Sequence, residues 1–154
     1  MKYLKPGILC LSVICIYTIA SAQKVFTPKE PEIKTARLFK DLPDRVPLNS
    51  SVLLPLLALK TGQAATISIS DKLVFKGTVS SAASKYNDAI KSIVLKLDDR
   101  PGATLTVSRI KNPDGTVNYR GRIISFQHGD CFELKNENGQ YILVKKNFED
   151  MVND

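Results

Sequence analysis

Thr104-Leu105-Thr106-Val107-Ser108-Arg109-Ile110-Lys111-Asn112-Pro113-Asp114-Gly115-Thr116-Val117-Asn118-Tyr119-Arg120-Gly121-Arg122-Ile123-Ile124-Ser125-Phe126 decides the fold. Leu105 and Val107 alternate with Thr104, Thr106 and Ser108. Tyr119 and Ile123 alternate with Asn118, Arg120 and Arg122. A period of two places one apolar and one polar face on each strand. Between them, Asn112-Pro113-Asp114-Gly115 combines the residue types that reverse a chain: a proline with fixed φ, an Asp that bonds nearby backbone, and a glycine free to take positive φ. The stretch therefore reads as a half-buried antiparallel hairpin.

The same pattern extends in both directions. Upstream, Ala65–Ser70 reads as a strand, Asp71-Lys72 as a turn and Leu73–Val79 as its partner, with Leu73, Phe75 and Val79 on one face. Ser80–Ala89 reads as a polar loop, Ser92–Leu97 as a strand, and Asp98-Asp99-Arg100-Pro101-Gly102 as a turn. Downstream come Cys131–Leu134, a turn at Asn136-Glu137-Asn138-Gly139, and Gln140–Lys146. About seven short strands at near-regular spacing predict a mainly β fold, an antiparallel small barrel or sandwich.

Two short helical segments frame the strands. Asn49 or Ser50 can cap a helix in which Leu53, Leu56 and Leu57 share a face, although Pro55 limits its length. At the end, Asn147-Phe148-Glu149-Asp150 opens as a capped helical turn. The N-terminal helix and this C-terminal turn complete a domain expected over residues 47–154.

What precedes it reads differently. Lys2 and Lys5, an apolar run from Ile8 to Tyr17, and Ala20-Ser21-Ala22 form the three parts of a signal peptide, residues 1–22, cleaved after Ala22. That predicts export, to the periplasm or beyond the cell, with no membrane span after cleavage. Residues 23–46, with Pro28, Pro31 and alternating charges, read as a flexible or extended arm. The full chain has 22 Lys and Arg against 15 acids; without Lys2 and Lys5 the balance is +5. Such a charge favours anionic surfaces or acidic proteins by weak, salt-sensitive attraction, and an exported chain of this charge is a poor nucleic-acid binder. Of three cysteines only Cys131 lies beyond the signal, so this is not a disulfide scaffold.

Few residues offer chemistry. Gln127-His128-Gly129-Asp130-Cys131 holds the single His and the one Cys outside the signal. A thiol nucleophile needs a base within hydrogen-bond reach, so Cys131, His128 and Asp130 are the catalytic candidates. The competing reading is a polar turn leading into the next strand. One His and one Cys are too few for a zinc site, no phosphate loop or nucleophile elbow is present, and no metal or cofactor is expected. The chain has no Trp, which disfavours a sugar-stacking platform. The candidate ligand-binding residues are Arg120 and Arg122, which share a face and can clamp a carboxylate, sulfate or phosphate.

The run from Leu59 through Leu73-Val74-Phe75-Lys76-Gly77-Thr78-Val79 to Thr116-Val117-Asn118-Tyr119-Arg120-Gly121-Arg122-Ile123 resembles small exported bacterial β-domains of unassigned function. It is also similar, loosely, to the β-rich non-catalytic region before the catalytic domain of some secreted bacterial metalloproteases. The resemblance implies an accessory module and assigns no functional residue. The expectation is an exported non-enzymatic domain that binds a protein or an anionic envelope component. The alternatives are a thiol-dependent enzyme, a protease-inhibitor-like or proregion-like module, and an adhesion subunit that self-associates through an open sheet edge.

Overall fold

The computed structural model describes residues 36–70 and 73–147. Eight strands form one antiparallel sheet: β1 (Arg45–Leu48), β2 (Ala64–Ser70), β3 (Leu73–Lys85), β4 (Ile90–Leu97), β5 (Thr104–Lys111), β6 (Val117–Ser125), β7 (Asp130–Glu137) and β8 (Gln140–Asn147). Neighbours run β1-β8-β7-β6-β5-β4-β3-β2, and the two edge strands β1 and β2 approach each other. The result is a nearly closed barrel. Between β1 and β2 lie a 3-10 turn, Ser50–Val52, and a single helical turn α1, Leu53–Leu56.

Alternation builds the interior. Val46, Leu48, Ile67, Phe75, Val79, Ile93, Leu95, Leu105, Val107, Ile123, Phe132, Leu134 and Leu143 all point inward and are buried. Leu53, Leu56 and Leu57 insert from the end where β1 finishes. From the end where β7 begins, Phe39 packs its ring on Phe132 at a centroid distance of 5.4 Å. The void left among Leu48, Leu56, Ile67, Leu105 and Leu143 is about 10 Å³, roughly one water, so these side chains fill the barrel there.

The predicted hairpins form. Thr104 to Lys111 pairs with Ile124 to Val117, and Gly115 at the turn has φ 84°. Asn138 and Gly139, at φ 52° and 84°, make the β7–β8 turn. Asn49 caps the helical segment, its side-chain oxygen accepting from the Ser51 N–H at 3.0 Å.

Three differences have physical causes. The strand count is eight rather than seven, because Arg45–Leu48 pairs with β8. Pro47 has no N–H to give a ladder, and β1 tolerates it because it is a barrel edge. Second, β3 continues through most of the stretch read as a loop, to Lys85. A register shift between Val79 and Ser81 lets the strand bend and run on past the barrel wall, where Ser80 to Lys85 are exposed. Third, Phe39 and Val46 are core residues although they fall in the stretch 23–46 read as an arm. The arm up to residue 35, the signal segment 1–22, the turn at residues 71–72 and the C-terminal turn beyond residue 147 lie outside the described residues.

Gly77 shows how tightly the wall coils. A Cβ there would lie 2.4 Å from the Lys96 carbonyl oxygen, so no larger residue fits.

Candidate functional site

Arg120 and Arg122 sit on β6 with exposed side chains, on the outer face of the barrel. Ser108 lies opposite Arg120 and Thr106 opposite Arg122 on β5. One strand further, Ser92 lies opposite Ser108, and their hydroxyls are hydrogen-bonded at 2.8 Å. The two arginines therefore project at the margin of a floor of small hydroxyl side chains. On their other side Glu133 is in register with Arg122, but its carboxylate pairs with Lys135 at 3.4 Å. Neither the Arg120 nor the Arg122 side chain forms an ion pair among the described residues. Two uncommitted guanidinium groups on adjacent outward positions can grip one planar anion or two anionic groups of a polymer.

The second candidate cluster lies at the β6–β7 turn. His128 Nδ1 is 2.8 Å from Ser125 Oγ, and the His128 N–H donates to the Ser125 carbonyl. Ser125 is fully buried. Asp130 is also buried, and its Oδ2 accepts the Phe39 backbone N–H at 2.8 Å. This carboxylate anchors the segment before β1 to the barrel. Cys131 is buried on β7 between Ile124 and Lys146, on the face opposite Phe132. Burial, with the nearby Glu133 charge adding to it, pushes the thiol up to about 11. Little thiolate forms at neutral pH, and the thiolate is the nucleophile.

Sequence reasoning named His128, Asp130 and Cys131 but missed what holds them. The partner of Asp130 is ninety-one positions away along the chain, and nothing local to Phe39 signals it. Ser125 was missed as well: the sequence reading ran the strand to Phe126 and gave Ser125 no role, whereas β6 ends at Ser125 and its hydroxyl meets His128.

Two surface clefts flank the seam between the edge strands. One, of about 390 Å³, runs between the helical segment and the free edge of β2, lined by Val52, Pro55, Leu56 and Leu59 against Ala64 to Ser68. The other, of about 490 Å³, lies between Pro47–Ser50, Ile69 and Gly139–Tyr141. Neither is lined by a charged residue. Among the described residues there is no cluster of His, Cys, Asp and Glu that could hold a metal ion, and no helix long and apolar enough to cross a membrane.

Comparison with protein-family models, with curated proteins and with solved structures finds no match.

Proposed function

We propose that this domain is a non-catalytic binding module, exported by the signal at residues 1–22, that attaches to an acidic protein or an anionic envelope component through Arg120 and Arg122. The observation that carries the reading is the exposed, uncommitted arginine pair beside the Ser92, Thr106 and Ser108 hydroxyls. The inward side chains of the barrel are apolar and buried, so the charged groups that could meet a partner lie on the outer surface. The buried, weakly acidic Cys131 and the engagement of His128 with Ser125 support a structural role for the turn cluster.

The test is capture from the host envelope fraction with the 23–154 protein as bait, run beside Arg120→Ala/Arg122→Ala at several salt concentrations. The expected result is reproducible retention of one anionic component that weakens with salt and is lost in the double variant. Retention unchanged in the double variant would remove the arginine face from the account. Both side chains are exposed, so circular dichroism and melting should match the parent within about 0.5 kcal/mol.

A further inference from the structure

The β3–β4 and β5–β6 hairpins run past the barrel wall and end side by side, tied by a hydrogen bond from the Lys111 N–H to the Ala89 carbonyl at 2.7 Å. At the apex of the first, Tyr86, Asn87 and Asp88 take φ of 53°, 51° and 66° in succession. Three consecutive non-glycine residues in the left-handed region are strained, most of all the bulky tyrosine, whose Cβ crowds the backbone there. Local bonds hold it: Asp88 accepts from Ser84 Oγ and pairs with Lys91 Nζ at 3.0 Å, and the Ala89 N–H donates to the Tyr86 carbonyl. The product of that strain is a tyrosine ring standing in solvent, 76% exposed, with nothing in the fold to pack on. Strain that persists to display a side chain points to a use for that side chain.

Its surroundings identify the use. Lys85 precedes it, and Lys91 and Arg109 are neighbours in register on β4 and β5. Lys111 lies at the end of β5 opposite Val117, which is itself 40% exposed. Of the two acids at these tips, Asp88 is paired with Lys91, and Asp114 is satisfied by the Thr116 N–H and hydroxyl. An amphipathic ring at one apex, an exposed valine on the neighbouring hairpin and cations on both are what a surface needs to enter the headgroup layer of an anionic bilayer. A soluble polyanion would use the cations and have no use for the ring and the valine.

We propose that the paired hairpin tips, with Tyr86 at the apex and Lys85, Arg109 and Lys111 around it, dock peripherally on an anionic lipid surface. This goes beyond the arginine pair at Arg120 and Arg122 and uses a different surface. Tyr86 inserts at headgroup depth while the lysines and arginine contact lipid phosphates.

Because the chain has no Trp, Tyr86→Trp places a single fluorophore at the apex. With vesicles of phosphatidylglycerol and phosphatidylcholine, its emission should shift to the blue and be quenched by brominated lipid; pure phosphatidylcholine should give neither. In co-sedimentation, Lys85→Ala/Lys111→Ala should weaken binding about 25-fold, near fivefold per cation, and Tyr86→Ala should weaken it further. Arg120→Ala/Arg122→Ala, carried alongside, should keep most of the binding. The proposal is overturned by unshifted emission with anionic vesicles, by equal binding to both vesicle types, by a tip variant that binds like the parent, or by loss confined to the arginine variant. Binding to a soluble sulfated polymer without vesicle binding overturns it too. Lys85, Tyr86, Lys111, Arg120 and Arg122 are all exposed, and a matched melting temperature checks that the variants are folded.

Discussion

Phe39→Ala tests whether the segment before β1 is part of the barrel or merely lies on it. The Phe39 ring is fully buried and tilted against Phe132, and its backbone N–H meets the buried Asp130 carboxylate. Truncating a buried phenylalanine costs about 3–5 kcal/mol through lost apolar burial and the cavity left behind. A domain of this size has total stability of about 5–15 kcal/mol, so the loss is a large fraction of it. With an m-value near ~1.5 kcal/mol/M in urea, a loss of ~4 kcal/mol moves the midpoint down by between about 2 and 3 M. The assay is equilibrium urea unfolding followed by circular dichroism, with Leu54→Ala as the control, because Leu54 is 55% exposed and should move stability by under about 0.5 kcal/mol. A double-mutant cycle with Phe132→Ala should show a coupling of about 1 kcal/mol for the aromatic pair. A midpoint shift below about 0.5 M for Phe39→Ala would refute the reasoning, since it would mean that the barrel end closes without the ring.

Gly77→Ala should destabilise by about 3 kcal/mol, because its Cβ would sit 2.4 Å from the Lys96 carbonyl oxygen and force β3 off β4; a loss under 1 kcal/mol in thermal unfolding would contradict the close approach. Asp41 is held below its ordinary value of 3.8, chiefly by its hydrogen bond from Arg100, with slight burial opposing. A depressed folded-state pKa gives stability that is present above the unfolded value and lost as pH falls through the folded one. Below about pH 4 the protein should therefore lose a contribution that Arg100→Gln lacks at every pH. Asp41 is mostly exposed, so the difference should stay under about 1 kcal/mol; identical acid unfolding profiles for the two proteins would remove it. Cys131, buried and raised to about 11, should resist alkylation at pH 8 and react only in denaturant; labelling at the rate of an open thiol would reopen the enzymatic reading.

The strands were legible where one face meets the core and the other meets water. Leu105-Thr106-Val107-Ser108 and Tyr119-Arg120-Gly121-Arg122-Ile123 carry the period of two openly, and Asn112-Pro113-Asp114-Gly115 marks the turn between them. Two stretches were not legible for the same reason in reverse. Ser80 to Lys85 are exposed on both faces, so no hydrophobic alternation marks them as strand; pairing with β4 alone holds them extended. Arg45–Leu48 is too short to show a period and contains a proline, and its strand character comes from the neighbouring β8. Phe39 was hidden differently: Ala36-Arg37-Leu38-Phe39 is apolar but shows no period, and the carboxylate and ring that receive Phe39 lie about ninety residues on. The arginine pair was legible because its alternation with Tyr119, Gly121 and Ile123 fixes its direction. What no single sequence shows is that neither Arg120 nor Arg122 is neutralised across the sheet, since that depends on Glu133 turning to Lys135.

Along much of β4, β5 and β6 the buried residues alternate with outward ones that carry little of the core, although Ile124 and Cys131 are buried on the outer face. Inward residues such as Phe75, Ile93, Leu95, Ile123 and Phe132 are almost fully buried, so changing them alters the packing of the fold. Outward residues between them, such as Ser92, Thr106, Ser108, Arg120 and Arg122, touch mainly one another and solvent. A new charge pattern there leaves the core intact. The same holds more strongly for the projecting hairpins, where Ser80 to Lys85 contribute no buried side chain. Both proposed contact surfaces, the Arg120 and Arg122 row and the Tyr86 tip, lie among these outward positions. Variants at those positions should change partner retention while leaving unfolding midpoints almost unmoved, the opposite of the pattern expected for Phe39 and Gly77.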